Sequence, residues 1–219
     1  MTTKNIFDDE EANAYFRRNN KKSGERQADK PTSLLCDWLR PFKNEISELL
    51  DIGCGNGHEL HQLSEGINAS GYGVEPSTEA AEYISKHFPS LTVRVGYAEN
   101  VPFSREFSLV NLGFFLYLVD RKHYLRCISE ADRLVKVGGF LSIIDFETPY
   151  PYSNKYAHKE AIYSHKQNNS DVFIASNLYS VVNKYHFSHE NFFFDKDINE
   201  RVSLTLLYKE TNIFGDESS

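Results

Sequence analysis

The sequence predicts an α/β protein: a seven-stranded, mostly parallel sheet, helices on both of its faces, and an antiparallel terminal hairpin. Three observations predict it. Between residues 48 and 146, short apolar runs alternate with helix-periodic segments, the β-α-β-α order that buries a parallel sheet between helices. The first apolar run ends in three closely spaced glycines, Gly53, Gly55 and Gly57. Near the end of the chain, strand-like segments at 179–189 and 201–208 are joined by a polar loop, 195–200. Strands that are neighbours in sequence pair antiparallel, because a parallel pair needs a crossover.

The elements follow in order. Residues 8–20 set Ala12, Ala14, Tyr15 and Phe16 among charges and read as a helix; the polar stretch 19–30 reads as a loop. Pro31 suits a first helical turn. Leu34, Leu35, Trp38 and Leu39 then recur at the three-to-four spacing of a core-covering helix, and Pro41 marks its end. Residues 49–52 form a short apolar run that stops at glycines, a buried strand, and a helix starts over 58–64. A second strand is expected at 71–75. A helix at 77–87 follows, with Ser77 or Thr78 as N-cap. Third and fourth strands are expected at 91–95 and 107–112. Residues 121–135 place Tyr124, Leu125, Ile128, Ala131, Leu134 and Val135 on an amphipathic helix that Gly138-Gly139 would stop, before a fifth strand at 140–146. After Pro149 the pattern breaks: 150–174 is rich in Tyr, Asn, His and Lys with weak periodicity.

Bulk properties exclude some classes. The chain has 219 residues and a formal net charge of −7, which argues against a phosphate-backbone binder, since such affinity rests on Lys and Arg. Arg17, Arg18, Lys21, Lys22 and Arg26 cluster near the N-terminus and read as a solvated helix face or loop. Cys36, Cys54 and Cys127 are odd in number and show no metal-ligand spacing, so reduced thiols in a cytosolic protein are expected. No apolar run approaches the roughly 18 residues of a membrane span, and residues 1–5 lack the apolar core of a signal peptide. A cytoplasmic protein without membrane or nucleic-acid partners, monomeric or homodimeric, is the expectation.

The chemistry concentrates at Leu49-Leu50-Asp51-Ile52-Gly53-Cys54-Gly55-Asn56-Gly57. Glycines between a buried strand and a helix let the backbone approach a ligand, because no Cβ intervenes. In open α/β sheets, ligands bind at the carboxyl ends of the strands. Dinucleotide folds use Gly-x-Gly-x-x-Gly; the spacing here is tighter and disfavours a nicotinamide dehydrogenase. Asp51 would repel a pyrophosphate and accept from an amine, so the turn suggests a nucleoside with a cationic or amine tail. Glu75, eighteen residues beyond Gly57 at the end of the second strand, is placed to accept from both ribose hydroxyls. Read alone, it is equally a solvated strand-end carboxylate.

These residues resemble the class I S-adenosylmethionine-dependent methyltransferases of small-molecule type, with their Rossmann-like fold. Asp51-Ile52-Gly53-Cys54-Gly55-Asn56-Gly57 resembles the first motif of that family, and Gly73-Val74-Glu75-Pro76-Ser77 its second-strand acid. The run from Gly96 to Phe103 is similar to the segment Gly-Asp-Ala-Glu-x-Leu-Pro-Phe. Phe107 to Val110, then Phe114 to Asp120, resemble the fourth strand and its loop. Leu134 to Phe140 is similar to the helix end and fifth strand. The resemblance covers about residues 45–148. It implies S-adenosyl-L-methionine as cofactor, contacted by Asp51, Gly53, Cys54, Gly55, Glu75, Pro76, Tyr97, Ala98, Glu99 and Leu112. The glycine backbone would meet the amino-acid part, Glu75 the ribose, Ala98 and Glu99 the adenine, and Leu112 the mouth of the fourth strand. Tyr97 stands where the family often has Asp, which leaves the adenine contact open between Tyr97 and Glu99. The implied organisation is one domain: a helical cap (1–45), a cofactor-binding core (46–148), and a substrate-facing insertion with terminal strands (149–219).

Methyl transfer is an in-line displacement in which alignment supplies much of the rate and a base can take the acceptor's proton. No metal is required, and none is expected. Tyr15, Tyr117 and His158 are the catalytic candidates, with His165, His186 and His189 also in the tail; each of the four histidines reads alternatively as exposed or structural. Tyr150, Tyr152, Tyr156, Tyr163, Phe173, Tyr179 and Tyr185 form a substrate wall, or else sheet-edge packing or a dimer surface. Asn168-Asn169 offers hydrogen bonds to a sugar. The tail is similar to methyltransferases of bacterial surface-polysaccharide biosynthesis, so a small or sugar-like acceptor is expected. A nucleotide or RNA methyltransferase is the first alternative, although Asn111-Leu112-Gly113-Phe114 lacks the Pro-Pro of amino-methylating nucleic-acid enzymes. A non-catalytic S-adenosylmethionine-binding protein is the second.

Overall fold

The computed structural model describes residues 9–20, 30–156 and 163–211. Lys21, Lys22, Arg26 and His158 lie outside the described residues. Two helices lead in: α1 (Asp9–Asn20) and α2 (Lys30–Leu39), the latter followed by a 3-10 turn at Arg40–Phe42 that carries Pro41. The sheet is then laid down as β1 (Glu48–Ile52), β2 (Ser70–Glu75), β3 (Thr92–Val95), β4 (Phe107–Gly113) and β5 (Val135–Phe146). The helices α3 (His58–Ile67), α4 (Thr78–His87) and α5 (Arg121–Leu134) lie between them. The tail adds a separate hairpin, β6 (Tyr152–Lys155) and β7 (Tyr163–Lys166), the short helix α6 (Asp171–Ala175), and the long strands β8 (Tyr179–Ser188) and β9 (Arg201–Lys209).

The main sheet has seven strands in the order β3-β2-β1-β4-β5-β9-β8. β1 pairs in parallel with β2 and β4, β2 with β3, and β4 with β5, while β9 runs antiparallel between β5 and β8. The strand order reverses between β1 and β4, so the carboxyl ends of these two strands frame a crevice, the place where open α/β sheets bind ligands. Successive β1 residues feed opposite faces: Leu50 joins a core with α5 and α6, and Leu49 joins one with α2, α3 and α4. Helices therefore cover both faces, as the alternating pattern predicts.

Several expected boundaries shift. The α5 helix stops at Leu134, four residues before Gly138, and the chain passes directly into β5. The β4–β5 register slips between Phe107 and Leu109, with Phe107 opposite Val135 and Leu109 opposite Phe140. Gly138, at φ 77°, serves this irregularity and not a helix end. The weakly periodic stretch 150–174 resolves into β6, β7 and α6, elements too short to print a clear period. Among the described residues no helix is long and apolar enough to cross a membrane, and no group of three metal-binding side chains exists. The three cysteines are free.

Candidate active site

Gly53, Gly55 and Gly57 all have positive φ (78°, 57° and 79°), a conformation that disfavours side chains. A Cβ on Gly57 would lie 2.8 Å from Ile84 Cγ1, whereas one on Gly55 would meet nothing within 4 Å. The turn is thus packed on one side and open on the other. Its backbone is tied to β2, with Gly53 N and Cys54 N both donating to the Val74 carbonyl (2.8 and 3.2 Å).

Glu75, at the tip of β2, is 8 % exposed. Its Oε2 accepts from Gly55 N (2.9 Å) and its Oε1 from Ser77 N (3.0 Å), so the carboxylate clasps the glycine turn to the start of α4. Burial pushes its carboxyl up to about 7, against the pull of these two backbone donors. Each oxygen keeps a second lone pair for a ligand hydroxyl.

Asp51 lies beneath the cleft floor and not among its lining residues. It is 2 % exposed, and Asn111 Nδ2 donates to its Oδ1 at 2.8 Å. Ser142 Oγ in turn donates to Asn111 Oδ1 at 2.6 Å, a chain that crosses β1, β4 and β5. Burial raises the Asp51 carboxyl to about 7. Leu112 is likewise absent from the lining: at 1 % exposure it belongs to the core, and Gly113, Phe114 and Phe115 line the cleft in its place. A β-strand alternates its faces, so one residue's difference in register moves a side chain from mouth to core.

The cleft measures about 1160 Å³. Gly53, Cys54, Gly55, Glu75 and Pro76 form one part of its lining. Gly96, Tyr97, Ala98 and Glu99, after β3, form a second, held in a turn by Asn100 N donating to the Tyr97 carbonyl. Tyr15 and Tyr117 also line the cleft and hydrogen-bond to each other through their hydroxyls, so the cap and the loop after β4 meet. Burial holds both phenols above their usual range. Tyr156, also lining the cleft, hydrogen-bonds to Arg18.

An aromatic wall closes the other side; the sequence reading names Tyr117 and His189 as candidates but gives Phe114 and Phe146 no role in the site. Phe114 adopts a left-handed backbone (φ 56°), uncommon for a bulky residue, and its ring stacks on His189 (centroids 5.3 Å, 14°). Phe146 packs on both Phe114 (5.0 Å) and Tyr117 (5.2 Å). His189 Nδ1 lies 3.9 Å from Glu200 Oε2. For Phe114 the foreshadowing in sequence is the Phe-rich character of 114–115 and 192–194.

Beside Tyr156 and His189, Phe187, Ser188 and Asn191 also line the cleft, whereas the other described tail residues singled out in the sequence do not. Phe173 and Tyr179 are core residues, Tyr150 and Tyr163 are exposed, and Tyr185 packs on Phe187 and Phe192. His165 bonds to Ser153 on the hairpin (2.7 Å) and His186 to Glu147 (3.0 Å); neither lines the cleft. Asn169 is 3 % exposed and accepts from the Tyr124 hydroxyl, and Asn168 braces the start of α6 through Ser170, so this pair is not offered to a ligand. In the basic cluster, Arg17 pairs with Glu79 and Arg18 with Glu11.

Residues 49–139 match the model of a methyltransferase domain. No curated protein sequence matches the chain. Among solved structures, 1,6-didemethyltoxoflavin-N1-methyltransferase of Burkholderia thailandensis, with its substrate and S-adenosylhomocysteine bound, superposes with a TM-score of 0.66. The identity is 11 %, over 90 % of this chain and 84 % of that one. The N-methyltransferase NodS of Bradyrhizobium japonicum, bound to S-adenosylhomocysteine, gives 0.63 at 13 % identity, over 90 % and 98 %. CalS10, an amino pentose methyltransferase of Micromonospora echinaspora with S-adenosylmethionine bound, gives 0.61 at 11 %, over 86 % and 95 %. At these identities the likeness is one of fold.

Proposed function

We propose that residues 49–139, which match the model of a methyltransferase domain, bind S-adenosylmethionine as a class I methyltransferase does, and that the chain methylates a small, sugar-like acceptor at a hydroxyl or amine. The observation that carries this reading is the clasp between Glu75 and the glycine turn at the head of a cleft large enough for two ligands. The open side of Gly55 fits a ligand's approach to bare backbone, and the free lone pairs of Glu75 fit a ribose diol. Gly53, Cys54 and Gly55 would face the amino-acid part, Glu75 and Pro76 the ribose, and Tyr97, Ala98 and Glu99 the adenine. Asp51 acts from below, fixing the turn through β1.

S-adenosylmethionine supplies a methyl group on a positively charged sulfur. The protein's part is to hold an acceptor in line with it and to keep water out. Phe114, Tyr117 and His189 offer ring faces to a sugar, and Tyr15 and Tyr117 offer hydroxyls. Both phenols stay protonated at neutral pH, so they position the acceptor and do not take its proton. His189 is the better base: it lines the cleft, and its Nδ1 faces the Glu200 carboxylate at 3.9 Å, which leaves Nε2 for an acceptor. His158 lies outside the described residues and keeps its place as a candidate.

The division of labour is a cap (1–45), a cofactor core (46–148) and an acceptor side (149–219). The amino pentose specificity of CalS10 favours a sugar, and the tail's resemblance narrows the expectation to a surface-polysaccharide building block. Incubation with methyl-labelled S-adenosylmethionine and a panel of sugars, amino sugars and short RNAs tests it. Label is expected in the sugar fraction; label in RNA alone, or in nothing, would overturn the reading. His189→Asn should lower kcat by about 10²-fold while leaving cofactor affinity unchanged.

A further inference from the structure

His123, in the first turn of α5, lines the cleft, yet both of its ring nitrogens are buried without a hydrogen-bond partner among the described residues. A buried polar atom left unpaired is costly, so such a pair of atoms beside a ligand cleft marks a partner to come. The surroundings say which. Residues 123, 127 and 130 form one stripe along α5, at helical spacing. That stripe faces the segment after β3: Glu130 Oε2 accepts from Val101 N at 2.9 Å, the Glu99 carboxylate lies within electrostatic reach of Cys127, and Ala98 packs on the core that holds Cys127. His123 lines the same cleft as Tyr97, Ala98 and Glu99, at the end of the stripe that faces them.

Resting on the cofactor reading above, we propose that His123 reads the adenine edge and supplies the side-chain contact that Tyr97, standing in place of an acid, does not. A purine edge carries a donor amine and acceptor ring nitrogens. A neutral imidazole carries one donor and one acceptor, and suits either. A half-turn of the ring about its Cβ–Cγ bond exchanges Nδ1 with Cδ2 and Nε2 with Cε1 inside the same outline, so the nitrogens can turn to the ligand without repacking. His123 thus acts as a specificity determinant for the base, distinct from the ribose clasp at Glu75.

The test compares S-adenosylhomocysteine with S-inosylhomocysteine, in which the adenine amine is replaced by a carbonyl oxygen, on the full chain by calorimetry. Wild type is expected to favour the adenine form. His123→Leu should weaken S-adenosylhomocysteine binding roughly tenfold and shrink the preference between the two ligands toward unity. In wild-type protein with ¹⁵N-labelled histidine, one His123 ring nitrogen should shift on adding S-adenosylhomocysteine, a readout independent of how the variant folds. An unaltered preference in a folded His123→Leu variant, or an unmoved His123 nitrogen, would overturn the assignment and leave the cofactor reading intact. Failure of wild type to bind either ligand would instead sink that reading and this one with it.

Discussion

Glu75 shows how much one residue can do when its two oxygens face different elements. It accepts from Gly55 and Ser77, joins β2 to the glycine turn and to α4, and still has lone pairs to offer. Glu75→Gln loses the charge and sets a donor against one of the two backbone N–H groups, so the apoprotein should fold with reduced stability while affinity for S-adenosylhomocysteine falls by about 1–3 kcal/mol. Calorimetric titration of the variant checks this, and unchanged affinity would remove Glu75 from the ribose. The positions of this residue and of the three glycines were legible because each sits where a strand ends, and the tight glycine spacing calls for positive φ. Asp51 and Leu112 lie beneath the lining of the cleft and not in it, because sequence position does not say which side of a strand faces the cleft. Phe114 was missed because nothing in a phenylalanine announces a left-handed backbone.

At the scale of elements, the cap is fixed by an unusual borrowed contact. Asn13 of α1 accepts from the Ser77 hydroxyl (2.7 Å) and from Glu79 N (3.2 Å), while Ser77 itself accepts from Ala80 N (3.0 Å) as the N-cap of α4. One helix therefore helps to satisfy the open donors of another, and in doing so holds Tyr15 against Tyr117. Asn13→Ala should cost about 1 kcal/mol of stability, as a lost cap does. It should also increase proteolysis around residues 9–20 without altering the rest of the chain, which limited digestion followed by mass spectrometry can read. The Ser77 cap was visible in the sequence. The contact from Asn13 was not, because it spans 64 residues and depends on where α1 docks. The short pieces β6, β7 and α6 were illegible for a different reason: four or five residues do not make a period.

For the molecule as a whole, the parallel order of β1 to β5 and the antiparallel end were readable from alternation and adjacency. What the pattern does not reveal is the electrostatic cost of the design. Asp51, Glu75 and Asp145 are all buried at the carboxyl ends of β1, β2 and β5, and burial lifts each carboxyl to about 7. A carboxyl whose folded-state value is raised contributes stability below its ordinary value near 4, and that contribution is lost as pH rises through 7. Asp51→Asn retains an acceptor for Asn111 and removes the ionisation. Its Tm relative to wild type should therefore climb between pH 5 and pH 8; a constant difference across that range would show that Asp51 ionises as freely folded as unfolded.

In the proposed function the turn and Glu75 jointly hold the adenosyl group. Titration of the wild-type protein with S-adenosylhomocysteine at neutral pH tests this most directly. Saturable uptake of one molecule per chain is the predicted result, and no uptake at millimolar concentration would contradict it.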